Sequence, residues 1–202
     1  MLRYLALGDS YTIGEGIAES GRWPNVLAHA LNERDIALDA PRIIATTGWT
    51  CAELSAAMDE AEPLGQWDLI SLLIGVNDQY RGHGMEVFAH GFTNLLERAI
   101  ALAGHQTDRV FVLAIPDWSV TPFAQTCGHD PAVTAKELDA FNAFAQRTCE
   151  TRGIAFIDTA PISRARGGEA QMLAEDGLHP SAKLVSLWAE LALPGVLGLL
   201  QG

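Results

Sequence analysis

Cysteine is scarce in this 202-residue chain, occurring only at Cys51, Cys127 and Cys149. An odd number with no CxxC spacing argues against a disulfide framework or a thiolate zinc cluster. Reduced thiols lead to the expectation of a cytoplasmic protein. No charged-then-apolar leader precedes Gly8, because the run Leu2–Leu7 is too short for the apolar part of a signal peptide; that expectation holds unless a leader has already been removed. Basic residues are also few: 13 Lys and Arg against 25 Asp and Glu give a formal net charge of −12. Nucleic acid and anionic membranes reward a basic face, so neither partner is expected. No apolar run approaches membrane-spanning length, so stable insertion is not expected either. Repeats and low-complexity linkers are lacking, and oligomeric state is not legible here.

What is present is an ordinary globular balance, 49% hydrophobic and 19% charged, enough to bury the core of one domain spanning residues 1–202. Strand-length apolar runs recur at Leu2–Leu7, Arg42–Ala45, Leu69–Ile74, Val110–Ile115 and Ile154–Ile157. "LISLLI" and "VFVLAI" are apolar on consecutive residues, as strands covered on both faces are. Helical stripes lie between them: Trp23, Val26, Leu27, Ala30 and Leu31; Met85, Phe88, Phe92, Leu95, Leu96 and Ala99; Leu138, Phe141, Ala145 and Cys149. A weaker helix is expected over Ala52–Ala61 and a final one over Ala182–Leu193. Strands alternating with helices predict a doubly wound, three-layer α/β domain around a parallel sheet. The aromatic and Met side chains of the stripes are expected to be plain core.

In such folds ligands bind outside the carboxyl ends of the strands. Those ends carry short polar residues: Gly8-Asp9-Ser10, Thr46-Thr47-Gly48-Trp49-Thr50, Gly75-Val76-Asn77-Asp78 and Pro116-Asp117-Trp118-Ser119, with Asp176-Gly177-Leu178-His179-Pro180 after the fifth strand. Each has an ordinary explanation: Ser10 as a helix N-cap, Asn77-Asp78 and Asp176-Gly177 as turn chemistry, His179 as a cap on the last helix. Together they supply a nucleophile, a base, an acid to orient the base, and oxyanion donors, the parts of an acyl-transfer site.

"GDSYTIGEG", a glycine after the second strand, "GVND" and "DGLHP" resemble the SGNH hydrolases, the superfamily of GDSL-type esterases and lipases. The match runs from Gly8 to His179. The resemblance implies a flavodoxin-like three-layer α/β/α sandwich with a central five-stranded parallel sheet. It implies ester hydrolysis through an acyl-enzyme, with no metal and no cofactor. Ser10 would be the nucleophile, His179 the base and Asp176 the residue that orients the imidazole. The oxyanion hole would use the backbone N–H groups of Ser10 and Gly48 and the Asn77 side-chain amide. By pattern alone Gly65 could take the place of Gly48. Asp78, an ionised carboxylate, cannot donate and should matter to stability. The substrate would be a small-molecule ester with a small or medium acyl or acetyl group; a thioester or an acetylated carbohydrate belongs to the same class.

Other groups carry less. His83 and His90 are seven apart, near one helical face, but lack a third ligand; His29 and His105 read as ordinary helix residues. Cys127-Gly128-His129-Asp130 could bind a metal or make a Cys/His pair, but it lies in the long loop after the fourth strand and reads as substrate-side loop chemistry or nothing. The glycines of "GDSYTIGEG" could cradle a phosphate, but Asp9 and Glu15 place negative charge there. Tyr11 stands where the family name has Leu. Trp49 either walls the pocket or packs, with packing favoured. Loops Tyr80–Met85 and Pro116–Pro131 are expected to shape the pocket. The competing class is a non-catalytic flavodoxin-like module holding a flavin or nucleotide, which would have no use for the Asp176–His179 pair opposite Ser10.

Overall fold

The computed structural model describes residues 1–201. Five strands, β1 (Tyr4–Gly8), β2 (Arg42–Ala45), β3 (Leu69–Leu73), β4 (Val110–Leu113) and β5 (Ala155–Ile157), form one parallel sheet in the order β2-β1-β3-β4-β5. The register aligns Leu7 with Ile44 on one side and with Leu72 on the other. β1, β3 and β4 are buried throughout, whereas the edge strand β5 is half-buried; Ser71, the polar side chain within β3, is paired with the Tyr4 hydroxyl at 2.9 Å. The strand order reverses between β1 and β3, so the carboxyl ends of these two strands open the crevice where ligands collect in such sheets.

Among the described residues eight α-helices accompany the strands, six between them and the last two after β5: α1 (Ser10–Ile13), α2 (Trp23–Asn32), α3 (Cys51–Glu60), α4 (Val76–Tyr80), α5 (Met85–Leu102), α6 (Pro131–Glu150), α7 (Ala160–Arg166) and α8 (Ala182–Gln201). Helix α2 packs on α8 on one side of the sheet, and α5 packs on both α3 and α6 on the other, giving the α/β/α sandwich. The stripes read from the sequence pack into the core, with Val26, Ala30 and Met85 half-buried at its margin. Trp23, Leu27 and Leu31 are fully buried, Trp23 meets Phe111 edge-on, and Phe88 stacks on Phe141 at 4.2 Å.

Several expected boundaries shift. Leu2 falls outside β1, in an isolated bridge to Leu38. Helix α8 runs past Leu193, through Pro194, to Gln201. Over that length it is long and apolar enough to cross a membrane by length and composition alone, so the expectation that no segment approaches this length does not hold. Its Leu184, Val185, Trp188 and Val196 are buried in the core that α2 shares. His105 is not helical: it follows α5 in a left-handed turn at φ 62°.

Candidate active site

β1 delivers the chain into a single helical turn. Asp9, not Ser10, is the N-cap, and its Oδ1 accepts the N–H of Tyr11 at 3.0 Å. The N–H groups of Thr12 and Ile13 go to the Asp9 carbonyl. Asp9 therefore consumes the N–H groups of the turn beyond Ser10, and a helix of four residues adds little dipole of its own. Ser10, the first residue of α1, is 4% exposed and lines the pocket at the sheet edge. Asp9 is completely buried, and its Oδ2 has no hydrogen-bond partner among the described residues. Burial pushes its carboxyl up to about 8, against the pull of the Tyr11 N–H and helped by the nearby Asp78 carboxylate. The negative charge expected at Asp9 is thus largely absent at neutral pH; the other acid named above, Glu15, is bonded to the Thr47 hydroxyl.

The turn after β2 is clamped by α4. Gly75, at φ 120° where a Cβ would strike Phe88 at 2.4 Å, lets β3 bend directly into that helix. Asn77 on α4 donates from Nδ2 to the Trp49 carbonyl at 2.9 Å. One amide hydrogen is used there, and Asn77 also lines the pocket. One turn on, Arg81 donates from Nη2 to the Gly48 carbonyl at 2.6 Å and pairs through Nη1 with Glu53 at 3.1 Å. Glu53 in turn accepts from the N–H and hydroxyl of Thr50. Gly48 adopts φ 88°, a conformation that disfavours any side chain. Sequence reasoning missed Arg81; its only signal is a place four residues after Asn77, the spacing that puts two side chains on one helical face. Trp49 packs against the core and is not among the pocket residues. Gly65 lies beside the Arg3 guanidinium and does not line this pocket.

Asp176 and His179 meet in a tight loop. Asp176 Oδ1 accepts the N–H groups of Leu178 and His179, both at 2.9 Å, and Oδ2 faces His179 Nδ1 at 2.6 Å. The His179 carbonyl accepts the Ala174 N–H at 2.8 Å, closing the loop before α8, which His179 does not cap. Partial burial pulls the Asp176 carboxyl up, but hydrogen bonds from the His179 ring and the two backbone N–H groups outweigh it and hold it below the ordinary carboxylate range. The Tyr11 ring stands edge-on to His179 at 6.1 Å and to Trp188 at 6.0 Å, a buried support at the position where the family name has Leu.

Ser10, Gly48, Asn77 and His179 share one pocket of about 170 Å³ with Tyr11, Thr47, Val76, Tyr80, Trp118, Phe123 and Leu178. Both loops expected to shape it contribute, Tyr80 from one and Trp118 and Phe123 from the other. His129 stacks on Tyr80 at 4.9 Å and 20°, while Asp130 caps α6 through the Ala132 N–H. Asp78 is buried, accepts the Cys51 N–H at 2.9 Å and faces His83 Nδ1 at 3.3 Å. His83 precedes α5, so it shares no helical face with His90. Among the described residues no three His, Cys, Asp or Glu side chains gather as a metal-binding group.

A family model described as GDSL-like lipase/acylhydrolase matches residues 6–184. No curated protein matches the sequence. Among solved structures, TesA is similar over 98% of this chain and 99% of its own, with 20% identity and a TM-score of 0.77. The psychrotrophic esterase EstA from Pseudoalteromonas sp., inhibited by monoethylphosphonate, is similar over the whole of both chains, with 15% identity and a TM-score of 0.76. A mutant of Axe2, an acetyl-xylooligosaccharide esterase from Geobacillus, is similar over 96% of this chain and 94% of its own, with 18% identity and a TM-score of 0.72. At these identities the likeness is one of fold.

Proposed function

The chain belongs to the GDSL-like lipase/acylhydrolase family, and from that premise we propose that it is a serine ester hydrolase working through an acyl-enzyme, with Ser10 as nucleophile, His179 as base and Asp176 as its orienting acid. The observation that carries this reading is the 2.6 Å contact between His179 Nδ1 and Asp176 Oδ2, made by a histidine that lines the same pocket as Ser10. A carboxylate on Nδ1 fixes the tautomer that leaves Nε2 free to accept a proton.

Ser10 Oγ attacks the ester carbonyl carbon and its proton passes to His179 Nε2. The tetrahedral oxyanion is held by the N–H groups of Ser10 and Gly48 and by the second Nδ2 hydrogen of Asn77. Collapse breaks the bond to the leaving oxygen, which takes the proton from His179. Water then attacks the acyl-enzyme by the same route and restores Ser10. The substrate is a small-molecule ester with a small or medium acyl group. The proposed setting is the cytoplasm, in keeping with three thiols that remain unpaired.

A fluorophosphonate tests the assignment. It should label one serine, and peptide mapping should place the label at Ser10; label on Ser119 or Ser181 would move the nucleophile. Ser10→Ala should lower turnover by on the order of 10⁴–10⁶ while the melting curve is retained.

A further inference from the structure

We infer that the pocket beside Ser10 takes neutral esters bearing one compact apolar group, up to about the size of a benzene ring, and that Tyr80, Trp118 and Phe123 set this limit. The inference rests on the hydrolase reading above and names its substrate class. The pocket is a cleft open to solvent with a volume of about 170 Å³, comparable to an enclosed apolar protein cavity of ~150 Å³ that admits benzene. Its walls away from Ser10 are aromatic and aliphatic. Tyr80 meets Trp118 at 5.6 Å and Phe123 at 6.4 Å, and Trp118 meets Phe123 at 6.2 Å. Val76 and Leu178 complete the lining.

This wall is fixed in place. Trp118 Nε1 donates to Gln79 Oε1 at 3.0 Å, and Gln79 Nε2 donates to Glu137 at 2.7 Å. The Phe123 N–H donates to the carbonyl of Gly177, inside the Asp176–His179 loop, at 3.2 Å, which ties the wall to the loop that carries His179. One face of Tyr80 is covered by the His129 stack. Trp118 and Phe123 are tethered by hydrogen bonds, and Tyr80, 40% exposed, closes the outer side of the wall; a long acyl chain must pass it into solvent.

Charge and polarity narrow the class further. Among the described residues no Lys or Arg lines the pocket. The nearby Arg81 is engaged by Gly48 and Glu53, and the groove on the far side of Asp176 carries Glu15 and Glu175. An anionic alcohol or thiol portion therefore finds no counter-charge. A sugar brings several hydroxyls that must keep hydrogen bonds on entry, whereas Val76, Trp118, Phe123 and Leu178 offer them no side-chain partner and the Thr47 hydroxyl spends its one hydrogen on Glu15.

The test is kcat/KM of the wild-type protein on benzyl acetate, ethyl phenylacetate, ethyl acetate, ethyl decanoate, an acetylated monosaccharide and a coenzyme A thioester. Neither aryl ester has an activated leaving group, so reactivity does not mimic preference. One aryl ester should exceed ethyl acetate, ethyl decanoate, the sugar and the thioester by about 10-fold or more, the scale on which a hydrophobic pocket discriminates. Benzyl acetate leading assigns the compact group to the alcohol, and ethyl phenylacetate leading assigns it to the acyl part. Phe123→Leu and Tyr80→Leu should each lower the aryl-to-decanoate ratio about 10-fold. Preference for decanoate, the sugar or the thioester, a flat profile, or an unchanged ratio in both variants overturns the inference alone. Turnover of no ester, with Ser10 unlabelled by fluorophosphonate, would remove the hydrolase reading and this inference with it.

Discussion

Two aspartates flank the pocket, each beside a glycine and each near a proposed catalytic residue, and their surroundings drive them apart. Asp9, next to Ser10, is 0% exposed, holds one backbone N–H and has one oxygen without a partner among the described residues. Asp176, three residues before His179, has a side chain 44% exposed and receives three hydrogen bonds. Burial pushes the first up to about 8; hydrogen bonding holds the second below the usual carboxylate range. At neutral pH one is mostly a neutral acid and the other an anion. Carboxyl groups pushed apart in this way take different roles: Asp9 builds the turn that presents Ser10, and Asp176 is suited to support an imidazolium.

The same substitution at both sites should therefore have opposite consequences. Asp176→Asn can still accept the N–H groups of Leu178 and His179. However, its amide donates to Nδ1 and forces the His179 proton onto Nε2, where a base is needed. Turnover should fall about 10⁴-fold with the fold intact. Steady-state kinetics beside a melting curve check this, and a loss below 10-fold would show that His179 needs no anionic partner. The stability contribution of Asp176 is present above the unfolded carboxylate value of about 3.9 and is lost as pH falls through its lower folded value.

The fold was legible because its signals are additive. Consecutive apolar residues such as Leu69–Ile74 and spaced ones such as Trp23, Leu27 and Leu31 each bury many atoms, and each points to the same architecture. The candidate site was legible where side-chain chemistry is distinctive, at Ser10, Asn77 and His179. It was not legible where three-dimensional neighbours decide. Asp9 reads as a charge in the sequence and becomes neutral only because the first turn is sealed beneath the sheet edge. Arg81 reads as a surface cation, and its bond to the Gly48 carbonyl depends on how α4 meets the turn after β2. Trp118 and Phe123 sit in a loop whose path no periodicity encodes. The length of α8 was missed because Pro194 reads as a stop.

Arg81 sharpens the comparison, since it is an exposed charge that works by hydrogen bonding, as Asp176 does. We propose it as a positioning residue: by holding the Gly48 carbonyl it fixes the Gly48–Trp49 peptide and, through the backbone angles at Gly48, the adjoining N–H that would face the oxyanion. Arg81→Met should lower kcat about 10-fold, equivalent to about 1.4 kcal/mol, with KM nearly unchanged. Arg81→Lys should recover part of the loss, because one ammonium can reach Gly48 but cannot also hold the fork on Glu53. A lower melting temperature with unchanged kcat would reduce Arg81 to a strut between α3 and α4.

The smallest effect on activity should come from Asp9→Asn, which imposes permanently the neutral state that burial already favours. The amide oxygen can still accept the Tyr11 N–H, so the turn carrying Ser10 should survive and turnover should stay within about 10-fold of wild type. Stability is where this change should show. A carboxyl whose folded value lies near 8 and whose unfolded value lies near 3.9 stabilises the fold fully below the unfolded value. That contribution drains away as pH rises toward 8, because only the unfolded chain ionises readily. The amide has no such dependence. The melting temperature of Asp9→Asn relative to wild type should therefore climb between pH 4 and pH 8, and a gain of about 1 kcal/mol corresponds to about 2–4 °C in a domain of this size. Parallel pH–stability curves for the two proteins would mean that Asp9 is ionised in the fold, with a counter-charge that neither Asp78 nor the Tyr11 N–H supplies. The two aspartates would then differ in exposure but not in charge, and the turn beneath Ser10 would hold an anion after all.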